Sequence, residues 1–228
     1  MSNTESWERV AARATTDPPT DAVRYGPDGP SESDLRLLGD VEGKRALDLG
    51  CGAGQAAIAL AKQGAHAVAV DASARQLERG KRLAAREEVR IEWHEGDLAD
   101  LAFLRADSID LAFSAFAVAE VEDLGRLFRQ VHRVLRPHSV FVFSYEHPMT
   151  LCTGEEGTAV VRSYFEPGPM AVERDGEPVQ VYPRTIAGVF AELGRAGFRV
   201  EVVVEPRPTG ADTPVPSTIV WRARKEGM

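Results

Sequence analysis

Ala46-Leu47-Asp48-Leu49-Gly50-Cys51-Gly52-Ala53-Gly54 is the stretch that decides the fold. A short, mostly apolar strand runs straight into a loop with glycine at every second position. Gln55–Gln63 follows, alanine-rich and helical, closed by Gly64 where a helix end favours a left-handed residue. A strand passing through a glycine loop into a helix is the opening unit of a parallel α/β sheet. The glycines let the backbone approach a ligand closely, and the N–H groups opening the helix offer a site for negative charge.

The alternation continues outward from this unit. His66–Val70 is a β-branched strand ending in Asp71, and Ser73 caps a helix to about Ala85. Val89–Trp93 is a third strand, followed by Glu95-Gly96-Asp97. Ile109–Ser114 is a fourth. Leu124–Leu135 is a helix with Leu124, Leu127, Phe128, Val131 and Leu135 on one face, stopped by Pro137, and Ser139–Tyr145 is an apolar strand. Residues 146–183, rich in Gly and Pro, break the rhythm as an insertion. Thr185–Ala196 is a helix. Phe198–Val204 and Ser217–Arg224 are strands with no helix between them, which predicts an antiparallel pair at one edge. Upstream, short helices around Ser6–Ala14 and Ser31–Leu38 lie in a polar, turn-rich segment.

The chain has 228 residues, 43% of them hydrophobic, in the range of one ordinary globular domain. Lys and Arg number 27 against 35 Asp and Glu, a net charge of −8. That argues against a nucleic-acid-binding surface, which needs a basic excess to pair with phosphates. Cys51 and Cys152 form no disulfide framework, and no metal-ligand spacing surrounds them. The amino terminus lacks the basic and apolar regions of a signal peptide. No apolar run approaches the roughly 18–20 residues that span a bilayer. The expectation is a cytoplasmic protein with no metal, membrane or nucleic-acid partner, and its oligomeric state is not legible.

Ligands of open α/β sheets bind at the carboxyl ends of the strands. Three features fall there. Gly50–Gly54 is the first. Asp71 is the second, placed to accept hydrogen bonds from a ribose diol, and Asp97 is the third, placed to accept one from an exocyclic amino group. Together they predict an adenosine clamp. A dinucleotide fingerprint needs a third glycine where this chain has Gln55. Asp48 adds negative charge where a pyrophosphate would sit, which suits an ammonium group better. No phosphate-loop motif is present in the sequence.

The segment 46–54 resembles the first motif of the class I S-adenosylmethionine-dependent methyltransferases. Asp71-Ala72-Ser73 and Gly96-Asp97-Leu98 resemble their next two motifs. Ile109–Ser114 with Val131–Pro137 is similar to their fourth strand and the helix after it. The resemblance covers about residues 40–145. It implies a Rossmann-like, mostly parallel seven-stranded α/β sheet of order 3-2-1-4-5-7-6, the last strand antiparallel, with helices on both faces of a single domain, residues 1–228. It implies S-adenosyl-L-methionine as cofactor, with Gly50, Cys51 and Gly52 against its methionine part and Asp48 ordering its ammonium. Asp71 would hold the ribose, Ala72 and Leu98 the adenine ring, and Asp97 the adenine amino group. Ser114 would line the transfer cleft, Gln76 would reach the amino-acid portion, and Tyr25 would close over the cofactor as a lid.

His147, after the fifth strand in Tyr145-Glu146-His147-Pro148, is the candidate general base or acceptor-binding residue. Glu120 and Glu146 are further acids near the cleft, and Arg162, Tyr164, Arg174 and Arg184 are candidates to face the acceptor. Residues 1–39 as a lid segment and 146–183 as an insertion would form an acceptor cap. The expected reaction is methyl transfer to an N, O or C atom of a small molecule by in-line displacement. The alternatives are a methyltransferase of protein or tRNA, and a silent S-adenosylmethionine-binding module.

Overall fold

Leu47, Leu49, Val68 and Val70 carry no polar atoms beyond the backbone, and strand pairing satisfies that backbone, so all four are fully buried. They belong to the central strands of a computed structural model that describes residues 2–27, 29–153, 158–166, 168–207 and 214–227. In chain order the elements are α1 (Asn3–Arg13), α2 (Glu32–Leu35), β1 (Arg45–Leu49), α3 (Gln55–Lys62), β2 (His66–Asp71), α4 (Ala74–Arg86), β3 (Ile91–Glu95) and β4 (Ile109–Ala115). A 3₁₀ turn at Val118–Glu120 leads to α5 (Leu124–Val134), β5 (Leu135–Glu146), α6 (Pro148–Cys152), β6 (Met170–Arg174), β7 (Glu177–Val181), α7 (Ile186–Arg195), β8 (Phe198–Val204) and β9 (Thr218–Lys225).

The main sheet has the order β3-β2-β1-β4-β5-β9-β8. β1 to β5 are mutually parallel, and β9 runs antiparallel to both β5 and β8. Leaving aside β6 and β7, which pair with each other in a separate hairpin, this is the expected order with its antiparallel last strand. Helices cover both faces. On one side Leu127, Phe128 and Val131 of α5 pack against Phe141 and Phe143, and Leu193 of α7 closes the same core. On the other, α3 and the segment from Val23 to Val41 cover Ala46, Phe113 and Val142.

Several boundaries differ from expectation for local reasons. α1 starts at Asn3 because Ser2 and Glu5 form a reciprocal capping box. α2 stops at Leu35 because Arg36 turns left-handed. β3 begins two residues late, at Ile91, after a turn with Glu88 at positive φ. Pro137 does lie beyond α5, but the strand has already begun at Leu135. The insertion, apart from residues 154–157 and 167, which lie outside the described set, holds α6 and the β6–β7 hairpin.

α1 is docked on two sides. Asn3 makes two 2.8 Å hydrogen bonds with the Gln180 backbone, Ser6 Oγ donates to the Pro178 carbonyl, and the Glu177 carboxylate pairs with Arg9 at 2.6 Å and Arg13 at 2.7 Å. Opposite, the Glu8 carboxylate accepts from Ser73 Oγ and the Arg75 N–H at the start of α4. The helix thus bridges the hairpin and the sheet domain.

Candidate active site

At the carboxyl ends of the parallel strands lies a cleft of about 1720 Å³. Its floor is the loop after β1, the ends of β2 and β3, and residues Ala115–Ala117 after β4. α1, the segment through Pro27 and the tip of the β6–β7 hairpin form the opposite wall. Gly50 and Gly52 have φ of 69° and 55°, left-handed values that side chains resist. A Cβ on Gly50 would lie 2.1 Å from that of Ala117, so the loop after β4 packs directly on the glycine.

Gly50, Gly52, Asp71, Ala72, Gln76, Asp97 and Leu98 all line this cleft, brought together from the loops after β1, β2 and β3 and the start of α4. The Asp71 carboxylate accepts from the Gly52 N–H at 2.8 Å and the Ser73 N–H at 2.9 Å, which ties β2 to the glycine loop. Burial pushes its pKa up, the two backbone donors opposing. Asp97 accepts from the Ala99 N–H at 2.8 Å. Gln76 is buried near the start of α4, with Arg79 donating to its side chain. Gly54, by contrast, receives the Trp93 ring, which would stand 2.4 Å from a Cβ there.

Five expected residues are placed elsewhere. Tyr25 is no lid: its ring is fully buried edge-on against Phe113, and its hydroxyl donates to Glu32. Asp48 lies behind the loop, accepting from the Ala57 N–H of α3 at 3.0 Å, and burial raises its pKa to about 7. Cys51 packs with Ala57, Ala69 and Leu77, and burial pushes its thiol well above the usual range. Ser114 is buried, its hydroxyl donating to the Leu49 carbonyl at 2.8 Å. His147 does not reach the cleft and is not placed to act as a base there. Its Nδ1 accepts the Met149 N–H, capping α6, so Nε2 carries the proton toward Glu205 at 2.8 Å.

Of the other candidates, Arg174 and Glu120 line the cleft. Glu146 instead pairs with Arg174 at 2.6 Å. Arg184 donates to the Val121 and Glu122 carbonyls, and the Tyr164 hydroxyl accepts the Ile186 N–H. Arg162 lies 3.3 Å from Glu166. Sequence reasoning did not anticipate Trp7, Asn3, Phe116 or Tyr182 in the lining. Phe116, at φ 65° directly after β4, sits where chain reversal and site coincide.

Residues 46–138 match a methyltransferase-domain family. The chain is 33% identical over 183 residues to the magnesium-protoporphyrin O-methyltransferase of Rhodobacter capsulatus, 76% of each protein being covered. It belongs to the S-adenosylmethionine-dependent methyltransferases. The methyltransferase superposes on the S-adenosylmethionine-dependent enzyme of Mesorhizobium loti with a TM-score of 0.72 at 32% identity, covering 84% of this chain and 95% of that one. It is also 38% identical over 102 residues to the demethylmenaquinone methyltransferase of Clavibacter sepedonicus, 45% of this chain and 41% of that one.

S-adenosylmethionine is therefore the cofactor of this methyltransferase, and the cleft suits it. Nothing closer than Gln55 Oε1, at 3.9 Å, would meet a Cβ on Gly52, and nothing within 4 Å would meet one on Gly96. Both glycines border space that the protein does not fill. Carboxylates at the ends of β2 and β3 match hydroxyl and amino donors. Among the described residues, no group of three or more His, Cys, Asp or Glu is arranged to hold a metal ion, and no helix is long and apolar enough to cross a membrane.

Glu120 is an acid of the methyltransferase cleft held by side chains of α1. It ends the 3₁₀ turn after β4, and its Oε2 accepts from Trp7 Nε1 at 2.8 Å and Asn3 Nδ2 at 3.1 Å. Burial raises its pKa to about 7. The hydrogen bond from Trp7 opposes that rise, and the charge of Asp71 adds to it.

Proposed function

We propose that this methyltransferase acts on a small molecule held beneath α1 and the β6–β7 hairpin. The observation that carries the reading is the size of the cleft. At about 1720 Å³ it exceeds the roughly 300–1,000 Å³ of common single-ligand pockets, leaving room for a second molecule beside the cofactor. The two relatives above are named for magnesium-protoporphyrin and demethylmenaquinone, which supports the same reading. The lining arginines are engaged with carboxylates, which gives no support to a nucleic-acid acceptor.

In this reading Gly50 and Gly52 flank the methionine portion and Gln76 reaches its polar end. Asp71 takes the ribose hydroxyls, Ala72 and Leu98 sandwich the adenine, and Asp97 takes its amino group. Residues 1–39 and the 146–183 insertion supply the acceptor cap. The bound cofactor supplies an electrophilic methyl group, so the chain's task is to align the acceptor and exclude water, an effect worth up to about 7–11 kcal/mol.

Calorimetric titration with S-adenosylmethionine and S-adenosylhomocysteine tests the site. Asp71→Ala is expected to weaken both by tenfold or more, about 1.4 kcal/mol. Unchanged affinity in that variant would remove Asp71 from the site. S-adenosylhomocysteine release with a small-metabolite panel, set against bulk tRNA and protein, tests the acceptor class. Transfer confined to a macromolecule would overturn it.

A further inference from the structure

Glu120 is held by two side chains of α1, where Asp71 and Asp97 are held by backbone N–H groups. Both hydrogen bonds that it accepts from the described residues converge on Oε2, and both donors, Trp7 and Asn3, are neutral. Oε1 takes no hydrogen bond from the described residues, and the side chain borders the cleft. The groups that bear on its charge come from three elements: Trp7 and Asn3 on α1, Arg174 on the hairpin and Asp71 at the end of β2. Arg174 is already bonded to Glu146. The turn that carries Glu120 begins beside Ala117, which packs on Gly50, so the carboxyl is tethered close to the glycine loop.

The charge of the whole lining adds a second constraint. Nine acids face five arginines. Arg13 pairs with Glu177, Arg24 with Asp21, Arg79 with Asp17, Arg126 with Asp100 and Arg174 with Glu146. An anionic acceptor would find each of these cations engaged. A cation finds unbalanced carboxylates and the rings of Trp7, Phe116 and Tyr182, whose faces attract positive charge.

We propose that the acceptor is a protonated amine and that Glu120 Oε1 takes its proton. This deepens, and rests on, the small-molecule reading above. The ammonium N–H bond breaks, the proton moves to Oε1, and the nitrogen regains its lone pair. That nitrogen bonds the methyl carbon supplied by the cofactor as the carbon–sulfur bond breaks, its electrons remaining on sulfur. The product is a methylated ammonium ion, and the Glu120 proton is returned to water. A carboxyl that titrates near neutrality is matched to this task. A phenol or a carboxylic acid would instead develop negative charge against an acidic wall.

The test uses the folded protein saturated with S-adenosylhomocysteine and three probes of similar size: benzylamine, p-cresol and benzoate. Calorimetry should show benzylamine binding at least tenfold tighter than the other two, with affinity rising as pH passes through about 7 and Glu120 ionises. Glu120→Gln should weaken benzylamine at least tenfold and flatten that rise. Trp7→Phe removes one donor from the ionised carboxylate, so the midpoint of the rise should move to higher pH. Absent benzylamine binding, a preference for p-cresol or benzoate, an unaffected Glu120→Gln protein or an unmoved midpoint in Trp7→Phe would each overturn the proposal. Turnover of phenols or acids would leave small-molecule transfer standing and remove only the amine. Transfer confined to a macromolecule, with benzylamine still bound through Glu120, would remove only the small-molecule reading.

Discussion

Trp93 shows how much a single side chain can dictate at a distance along the chain. Its ring reaches from β3 to the places where a methyl group on Gly54 or Gly80 would lie, 2.4 Å and 2.6 Å away. Gly54 also holds φ at 75°, so substitution there meets both backbone strain and a filled neighbour. Gly54→Ala is expected to lower the unfolding free energy by about 1–3 kcal/mol, read as a lower urea midpoint with an unchanged slope. A midpoint equal to wild type would show that the ring moves aside freely. Sequence spacing was enough to put Gly50, Gly52, Asp71 and Asp97 at strand ends, because strand ends are local features. It did not show which way Tyr25, Ser114 and His147 face. Each is satisfied by a partner outside its own turn or strand: the Glu32 carboxylate, the Leu49 carbonyl, and Glu205.

Among the elements, α1 has the most unusual position, because its polar contacts reach both the hairpin and α4. Glu177 anchors the hairpin side by receiving Arg9 and Arg13 together. The hydrogen bond from Arg9 leads the effects that hold its carboxyl below the usual carboxylate range. A depressed folded-state pKa means this contribution is present above the usual carboxylate value and is lost as pH falls through the folded value. Glu177→Gln is expected to speed amide hydrogen exchange across α1 while leaving exchange in β1 and β4 unchanged. Uniform exchange rates in the variant and wild type would show that Asn3 and Ser6 suffice to hold the helix. The start of α1 was misplaced from sequence because the Ser2–Glu5 box lies upstream of its apolar face. The hairpin was read only as an insertion, since its strands are short, although Asp175-Gly176, both at positive φ, is a tight-turn signal.

For the molecule as a whole, the carboxyls buried around the cleft set a pH dependence. Asp48 titrates near 7 in the folded chain, against about 3.9 unfolded. Between those values the folded state binds more protons than the unfolded one, so this group's stability contribution is full below about 4 and is lost as pH rises through 7. Denaturant unfolding from pH 4 to 8 should therefore show a smaller loss of stability in Asp48→Asn than in wild type; parallel curves would exclude Asp48 as the source. The sheet order was legible because it follows from alternating strands and helices. The cleft's outer wall was not, because it is assembled from α1 and a hairpin more than 150 residues apart in sequence, joined by Asn3 and Gln180. That joint has a consequence in time. α1 bonds Ser73, two residues beyond Asp71, through Glu8 and bonds Glu120 through Trp7, so undocking it breaks both contacts together. In the proposed arrangement, methyl donor and acceptor would share one doorway beneath α1, and their products would leave by the same undocking.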